Sequence, residues 1–398
     1  MTERTAVVVG GGIGGLGTAA GLVRRGWSVT VLEQADAFTE VGAGISLWPN
    51  AFRALEAVGV TGRLGEGRIG VAGGLRDWRG RWIVRMDDTA QATRYTAGAV
   101  VAHRSELLSV LLDQVPVESR LAGVRVRGVR RAGSRAVVTH DGGSIEADLV
   151  VGADGVRSVV RGALWPDAAP PRYSRHTVWR IVLPRPAALA DAGAKAWAET
   201  WGPGGVFGMF PMPGDRVYCY ATATVPPGGR SPDGELAELR RRFSDWCDPV
   251  PAVLAAARPE EVLRNDVYYL PLLPTYVSGP VALVGDAAHA MTPNLGQGGC
   301  QALEDAATLA VLVDAAPDLP TALRRYDEVR RPRTQALWKR SLQTGTVSHV
   351  RSAPVRVVRN AVLRTLPRSI FLKSLTRPFS WRPESALEGG VTAIRPVV

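Results

Sequence analysis

The sequence predicts an α/β protein: a mainly parallel sheet flanked by helices, an antiparallel sheet inserted into it, and a helical segment at the C-terminus. Three observations predict this. A strand, a glycine turn and a helical pattern open the chain between Ala6 and Arg25. Short alternating segments punctuated by Pro and Gly fill residues 170 to 270, and an apolar strand leading into a Gly/Pro loop and a long helix returns at Val281. The length of 398 residues exceeds the roughly 250 to 300 at which one hydrophobic core stops growing, so more than one core is expected.

Composition sets the class. Hydrophobic residues make up 46% and charged residues 21%, which is ordinary for a globular chain and unlike a disordered one. The net charge is +11, but it is local. Residues Thr321 to Arg382 hold 15 basic residues against Asp327 and Glu328, while the rest of the chain holds 33 basic and 35 acidic. The only lysines are Lys195, Lys339 and Lys373, and no nucleic-acid recognition motif accompanies the arginines, so no nucleic-acid partner is expected. Cys219, Cys247 and Cys300 are odd in number and widely spaced, which supports neither a disulfide framework nor a metal site. The start of the chain lacks a basic leader, and the uncharged stretch Thr5 to Val23 is half glycine and alanine, so a cytoplasmic, non-spanning protein is expected.

The first element reads as strand Ala6 to Val9, turn Gly10-Gly-Gly12-Ile13-Gly14-Gly15, helix to Arg25, strand Trp27 to Leu32, then Glu33. This is a complete βαβ unit of Rossmann-like type. Gly10 permits the tight turn, Gly12 lets backbone approach a pyrophosphate, and Gly15 lets helix and strand pack closely. The helix N-terminus offers free N–H groups to phosphates. Glu33, ending the second strand, suits two ribose hydroxyls and repels a 2′-phosphate, which favours FAD or NAD over NADP.

Arg135 to His140 and Ser144 to Val151 form a hairpin that leads into Gly152-Ala-Asp154-Gly155 and a helix. Asp154 reads either as an N-cap or as a site residue. Thr177 to Leu183, Lys195 to Trp201, Val206 to Met212 and Arg216 to Thr224 read as the inserted antiparallel sheet, with Arg76 to Met86 as a candidate addition. Strand Val281 to Asp286, a loop through Pro293, Gly296, Gly298 and Gly299, and a helix to about Asp314 follow. Glu304 and Asp305 suit the early turns of that helix. In the tail, Val355, Val358, Val362 and Leu366 recur at helical spacing among Arg356, Arg359, Arg364 and Arg368. That pattern suits a membrane-surface helix, and it suits equally a helix whose apolar stripe packs on its own domain, which is the commoner outcome.

Gly10 to Glu33, Asp154-Gly155 and the stretch Gly285-Asp286-Ala-Ala-His289-Ala-Met-Thr-Pro293-Asn-Leu-Gly296-Gln-Gly298, in this order, resemble the single-component FAD-dependent aromatic hydroxylases. These are the class A, para-hydroxybenzoate hydroxylase-like flavoprotein monooxygenases, and the resemblance covers residues 1 to about 345. Val41-Gly-Ala-Gly44-Ile-Ser-Leu-Trp-Pro-Asn50 is most similar to the branch holding zeaxanthin epoxidase-like, salicylate hydroxylase-like and urate hydroxylase-like enzymes. The resemblance implies non-covalent FAD held by Gly10, Gly12, Ile13, Gly14, Gly15, Glu33, Gly44, Arg104, Asp154, Gly155, Gly285, Asp286, Pro293, Gly296, Gly298 and Gly299. It implies NAD(P)H as transient co-substrate and molecular oxygen, transferred through a flavin C4a-hydroperoxide to an electron-rich carbon. His289 reads as a packing residue of the motif.

The domains expected on this basis are an FAD-binding domain at 1–75, 100–170 and 271–345, a substrate-binding sheet at 76–99 and 171–270, and a basic helical segment at 346–398. Arg180, Pro293 and Tyr220 are the candidate catalytic residues. Phe207, Met209 and Tyr220 are the candidate substrate contacts, although ordinary sheet core is the commoner fate of Phe207 and Met209. The expected function is hydroxylation or epoxidation of an aromatic or polycyclic small molecule. The competing readings are a reductase or dehydrogenase on the same fold and a non-catalytic flavin-binding protein at a membrane. No metal is expected, and the protein is expected to be a monomer or homodimer, with peripheral membrane contact through the tail as one reading.

Overall fold

The computed structural model describes residues 4–39, 42–61, 64, 73–86, 99–190, 198–367 and 377–387. Thr5–Val9 is buried from Ala6 onward, as befits a strand covered on both faces by helices. It pairs in parallel with Ser28–Leu32 on one side and Leu149–Gly152 on the other. The full order is Val277–Ser278, Val281–Leu283, Leu149–Gly152, Thr5–Val9, Ser28–Leu32, Arg120–Leu121. Only the first pair is antiparallel. Helices Ile13–Val23 and Gly298–Ala315 pack together against this sheet, with Leu16, Leu22, Leu303 and Leu309 inside the core. A three-stranded antiparallel sheet of Val126–Ala132, Arg135–His140 and Gly143–Ala147 leads into Leu149–Gly152.

The inserted sheet has seven strands in the order Val262–Tyr269, Arg172–Pro184, Arg216–Thr224, Gly205–Met212, Ala198–Gly202, Gly73–Asp77, Trp82–Met86. Every pairing is antiparallel except that of Ala198–Gly202 with Gly73–Asp77. One face carries a second core, in which Trp179, Ile181, Phe207, Met209 and Cys219 meet Leu239, Phe243 and Val253. The helices supplying those last residues, Glu235–Phe243 and Val250–Ala256, were not foreseen in the alternating texture. The other face looks toward the nucleotide-type domain.

The C-terminal region begins with the 30-residue helix Leu319–Ser348, which runs through Pro332 and buries Leu323, Tyr326, Arg330 and Leu337. Helix Ala353–Thr365 follows and lies beside strand Trp82–Met86, with Arg364 Nε donating to the Trp82 carbonyl at 3.1 Å. The apolar stripe of this helix does not pack on its own domain, contrary to the commoner expectation. Arg359 and Asn360 face inward, while Val355, Val357, Val358 and Val362 are 52, 67, 63 and 54% exposed. The reason is local: Arg359 donates to the Val347 and Ser348 carbonyls and lies over the Trp201 ring, which turns the valines outward. Residues 377–387 return to the first core, where Trp381 and Ala386 are buried. Among the described residues, no helix is long and apolar enough to cross a membrane.

Candidate active site

The turn after Thr5–Val9 shows why glycine is required there. Gly10 has φ +108°, and a Cβ on it would lie 2.5 Å from the Ala153 carbonyl oxygen. Gly15, one turn into the helix, approaches so closely that its Cβ would sit 1.9 Å from the Gly10 oxygen. These contacts aim the start of helix Ile13–Val23 at an open cavity. Glu33 stands at the same edge, its carboxylate oriented by N–H donors from Gly11 at 2.7 Å and Ala35 at 2.8 Å.

The cavity encloses about 1370 Å³ and runs from this cradle to the inserted sheet. Gly10, Gly12, Ile13, Gly14, Glu33, Gly44, Arg104, Asp154, Gly155, Gly285, Asp286, Pro293, Gly296, Gly298 and Gly299 all line it. Gly15 does not; it stands behind the cradle as the packing glycine. Strand Val281–Leu283 ends three residues before Asp286, which opens the short helix Asp286–His289. Asp154 is not the N-cap of the following helix, which is Ser158. Its Oδ2 nonetheless accepts from the Val159 and Val160 N–H groups at 2.7 and 3.1 Å, while its buried Oδ1 has no partner. Burial raises its carboxyl above the ordinary range, against the pull of bonds from Ser158 and Val160.

Beneath the Gly285–Gly299 loop lies a charged cluster built on Glu304 and Asp305, for which the sequence suggests only a place in the early turns of a helix. Glu304, Asp305 and Arg330 are all fully buried. Arg330 Nε donates to Asp305 Oδ1 at 2.7 Å and its Nη1 donates to Glu304. Arg333 adds two bonds to Glu304 at 2.7 and 2.8 Å. Asp305 Oδ2 then accepts from the Gly285 N–H at 2.8 Å and from His289 Nε2 at 2.6 Å. His289 is thus a buried packing residue, outside the cavity lining. Burial by itself would push both carboxyls up, but Arg333 and Arg330 hold Glu304 below the usual carboxylate range, and His289 and Arg330 do so for Asp305.

At the sheet end, side-chain alternation decides which residues are seen. Tyr218, Tyr220 and Thr222 face the cavity from one strand, Val178 and Arg180 from a second, Glu199 and Trp201 from a third, and Val206 and Phe210 from a fourth. Arg180, Tyr220 and Pro293 are therefore at the wall. Phe207 and Met209 are not, and their expected contact with substrate is corrected: both are fully buried on the opposite face, Phe207 with its ring 5.6 Å from Phe243. The register explains it, because Phe207 pairs with Ala221 and Met209 with Cys219, whereas Phe210 and Gly208 pair with Tyr218 and Tyr220. Glu199, Trp201 and Tyr218 were missed. Tyr220 donates its O–H to Glu199 Oε2, and Trp201 Nε1 donates to Oε1. Burial raises the Glu199 carboxyl, opposed by those two bonds. From the C-terminus, Phe379 stacks on Trp48 at 4.5 Å and both line the cavity.

The cradle fits an extended dinucleotide. A Cβ on Gly12, Gly155 or Gly298 would meet no atom within 4 Å, so the space above these backbones is open to a ligand. Asp154 Oδ1, Gln297 Nε2 and Trp48 Nε1 are buried, unpartnered and on the cavity wall, which supplies both acceptor and donors. A Rossmann-like cradle, a Gly/Pro loop at a helix N-terminus and an apolar sheet wall around one cavity define a class A flavin monooxygenase.

Comparison with known proteins agrees. Residues 3–341 match the FAD binding domain family, to which this chain belongs, and the protein is an FAD-dependent monooxygenase. It is 36% identical to the aurachin C monooxygenase/isomerase of Stigmatella aurantiaca, over 92% of this chain and 95% of that one. It is 35% identical to the 3-amino-4-hydroxybenzoate 2-monooxygenase of Streptomyces cremeus, over 87% and 88%. Among solved structures, Klebsiella pneumoniae HpxO complexed with FAD and uric acid superposes with a TM-score of 0.85 at 28% identity, covering 94% of this chain and 96% of that one.

Proposed function

We propose that the protein is an NAD(P)H-dependent FAD monooxygenase that hydroxylates or epoxidises an electron-rich aromatic or polycyclic small molecule. The observation that carries this reading is the continuity of one cavity from the Glu33 cradle to a wall of Leu75, Val178, Trp201, Val206 and Phe210. FAD, when bound, supplies the transfer of electrons and of one oxygen atom. The chain's residues hold and shield it. Gly10 to Gly14 and Glu33 take the ADP half, and Arg104, Asp154, Gly155 and Asp286 take the linking region. The Gly296–Gly299 turn and the N-terminus of helix Gly298–Ala315 would hold the ring end of the cofactor, where a helix N-terminus favours negative charge. The apolar wall excludes water and stacks a flat substrate, with Arg180, Tyr220 and Pro293 at its edge. Relatives named for an aminohydroxybenzoate and for urate take flat, electron-rich rings, which supports the same substrate class.

The test is uptake of one atom from labelled O₂ into product, coupled to substrate-dependent NAD(P)H oxidation. Oxygen-independent turnover that gives a reduced product overturns the reading.

We also infer peripheral contact with an anionic membrane through helix Ala353–Thr365. Its valines are turned outward, and residues 329–383 hold no Asp or Glu, with Lys339, Arg351, Arg364 and Arg382 exposed, a charge pattern that an anionic surface complements.

A further inference from the structure

Glu199 stands deep at the sheet end, and its remaining exposure opens onto the cavity it lines. It pairs with Leu75, which belongs to an apolar cluster with Trp201 and Val206 against which Tyr220 and Leu363 pack. A carboxyl in such surroundings is costly unless its oxygens are satisfied. Inside the protein it receives one donor on each oxygen, Trp201 Nε1 on Oε1 and the Tyr220 hydroxyl on Oε2. A carboxylate oxygen has room for about two such bonds, so each oxygen keeps one acceptor position. The donors around it are spent, because Tyr220 and Trp201 have one proton each and both go to Glu199. Of the other polar groups on the sheet wall, Thr222 Oγ1 is bonded to His349 Nε2 at 2.8 Å, and Arg180, one strand beyond Tyr220, reaches Asn265 at 3.4 Å and keeps further N–H donors. Beside the apolar cluster, Glu199 is therefore an acceptor with vacant lone pairs.

We propose that Glu199 is the specificity-determining residue of the substrate end: its carboxylate receives a ring O–H or N–H, so the pocket selects aromatic substrates that carry a hydrogen-bond donor. This rests on the monooxygenase reading above and names the substrate's recognition group. It also reassigns the role expected of Tyr220, whose proton is committed to Glu199 and whose ring packs the wall. The same ring with its donor methylated leaves the carboxylate unsatisfied. A ring carboxylate in that place sets like charges together.

The experiment titrates the FAD-loaded protein with 1-naphthol, 1-methoxynaphthalene and 1-naphthoate and reads flavin difference spectra, with FAD affinity followed separately by fluorescence. Wild type is expected to bind 1-naphthol about tenfold or more tightly than the other two, the ordinary worth of a bond to a charged group. In Glu199→Gln the amide N–H₂ meets the Tyr220 oxygen and turns the tyrosine proton toward the cavity. The preference should fall to about threefold or less, with FAD affinity unchanged. Tyr220→Phe frees a lone pair on Glu199 and should keep the preference. Equal wild-type binding of naphthol and methoxynaphthalene, binding of none of the three, or a preference that survives Glu199→Gln overturns the proposal. These outcomes stand apart from the oxygen-labelling test: a protein that incorporates labelled oxygen yet ignores the donor loses this inference alone.

Discussion

The two ends of the cavity are built in different ways. The cofactor end is made chiefly of backbone, brought close by glycines that tolerate turns and contacts no other residue fits: Gly10 against Ala153, Gly15 against Gly10, and the open surfaces of Gly12, Gly155 and Gly298. The sheet end is made of side chains from five strands, in four of them at alternate positions, with Tyr218, Tyr220 and Thr222 on one strand and Val206 and Phe210 on its neighbour. A backbone-built site is fixed by local sequence. A side-chain-built wall is fixed by register, which depends on partners far along the chain.

The largest effect is expected where the cofactor end rests on buried charge. Arg330→Met removes the cation shared by Glu304 and Asp305 and leaves two enclosed carboxylates, a loss of about 3–5 kcal/mol when a buried pair is broken. Denaturant unfolding should show it directly. Because Asp305 also holds the Gly285 N–H, FAD occupancy should fall in the same variant, with probe selectivity at the sheet end retained in the FAD-loaded fraction. Unchanged unfolding and full occupancy would mean that the cluster does not support the loop.

The same contrast explains what could be read in advance. Glu33, Asp154 and the Gly285–Gly299 loop were legible because each lies in a contiguous strand, turn and helix pattern, and all reach the cavity wall. Arg180 and Tyr220 were placed at the wall, but Phe207 and Met209 fell on the wrong face, since nothing local tells which parity of an all-apolar strand such as Gly205–Met212 looks inward. Glu199 was invisible for another reason: one acid in Ala198–Gly202 carries no spacing signal, and its meaning comes from Trp201 and, twenty-one residues on, Tyr220. Arg330 likewise lies twenty-five residues from Asp305, hidden within a basic tail whose charge seemed uniform.

An intermediate effect sharpens the parity argument. Phe207→Leu should cost about 1–2 kcal/mol, a typical core penalty, by loosening the contact with Phe243 while leaving naphthol affinity alone. Phe210→Leu, two strand positions from Met212 and half-buried on the cavity face, should do the reverse, weakening aromatic probe binding with little change in stability. Parallel unfolding and flavin-perturbation titrations separate the two. A Phe207 variant that alters probe binding while its unfolding is unchanged would return that residue to the cavity.

The smallest effect concerns the tail, whose surface belongs to neither end of the cavity. Arg359, Asn360 and the half-buried Leu363 are the residues of helix Ala353–Thr365 that turn inward, so Val355, Val358 and Val362 are left to solvent, more apolar exposure than a helix stabilised only by its own protein calls for. Each arginine near an anionic surface contributes about 1 kcal/mol, screened over roughly 8 Å at physiological ionic strength. Flotation with phosphatidylserine-containing vesicles should therefore recover the protein at low salt and lose it as salt rises, while phosphatidylcholine vesicles should bind little. Val355→Asp with Val358→Asp should abolish flotation and leave FAD content and stability as they were, since neither side chain touches a core. Flotation that survives the double substitution would place the contact elsewhere on the basic surface. Self-association at low salt without flotation would show that a second copy of the chain covers the valines.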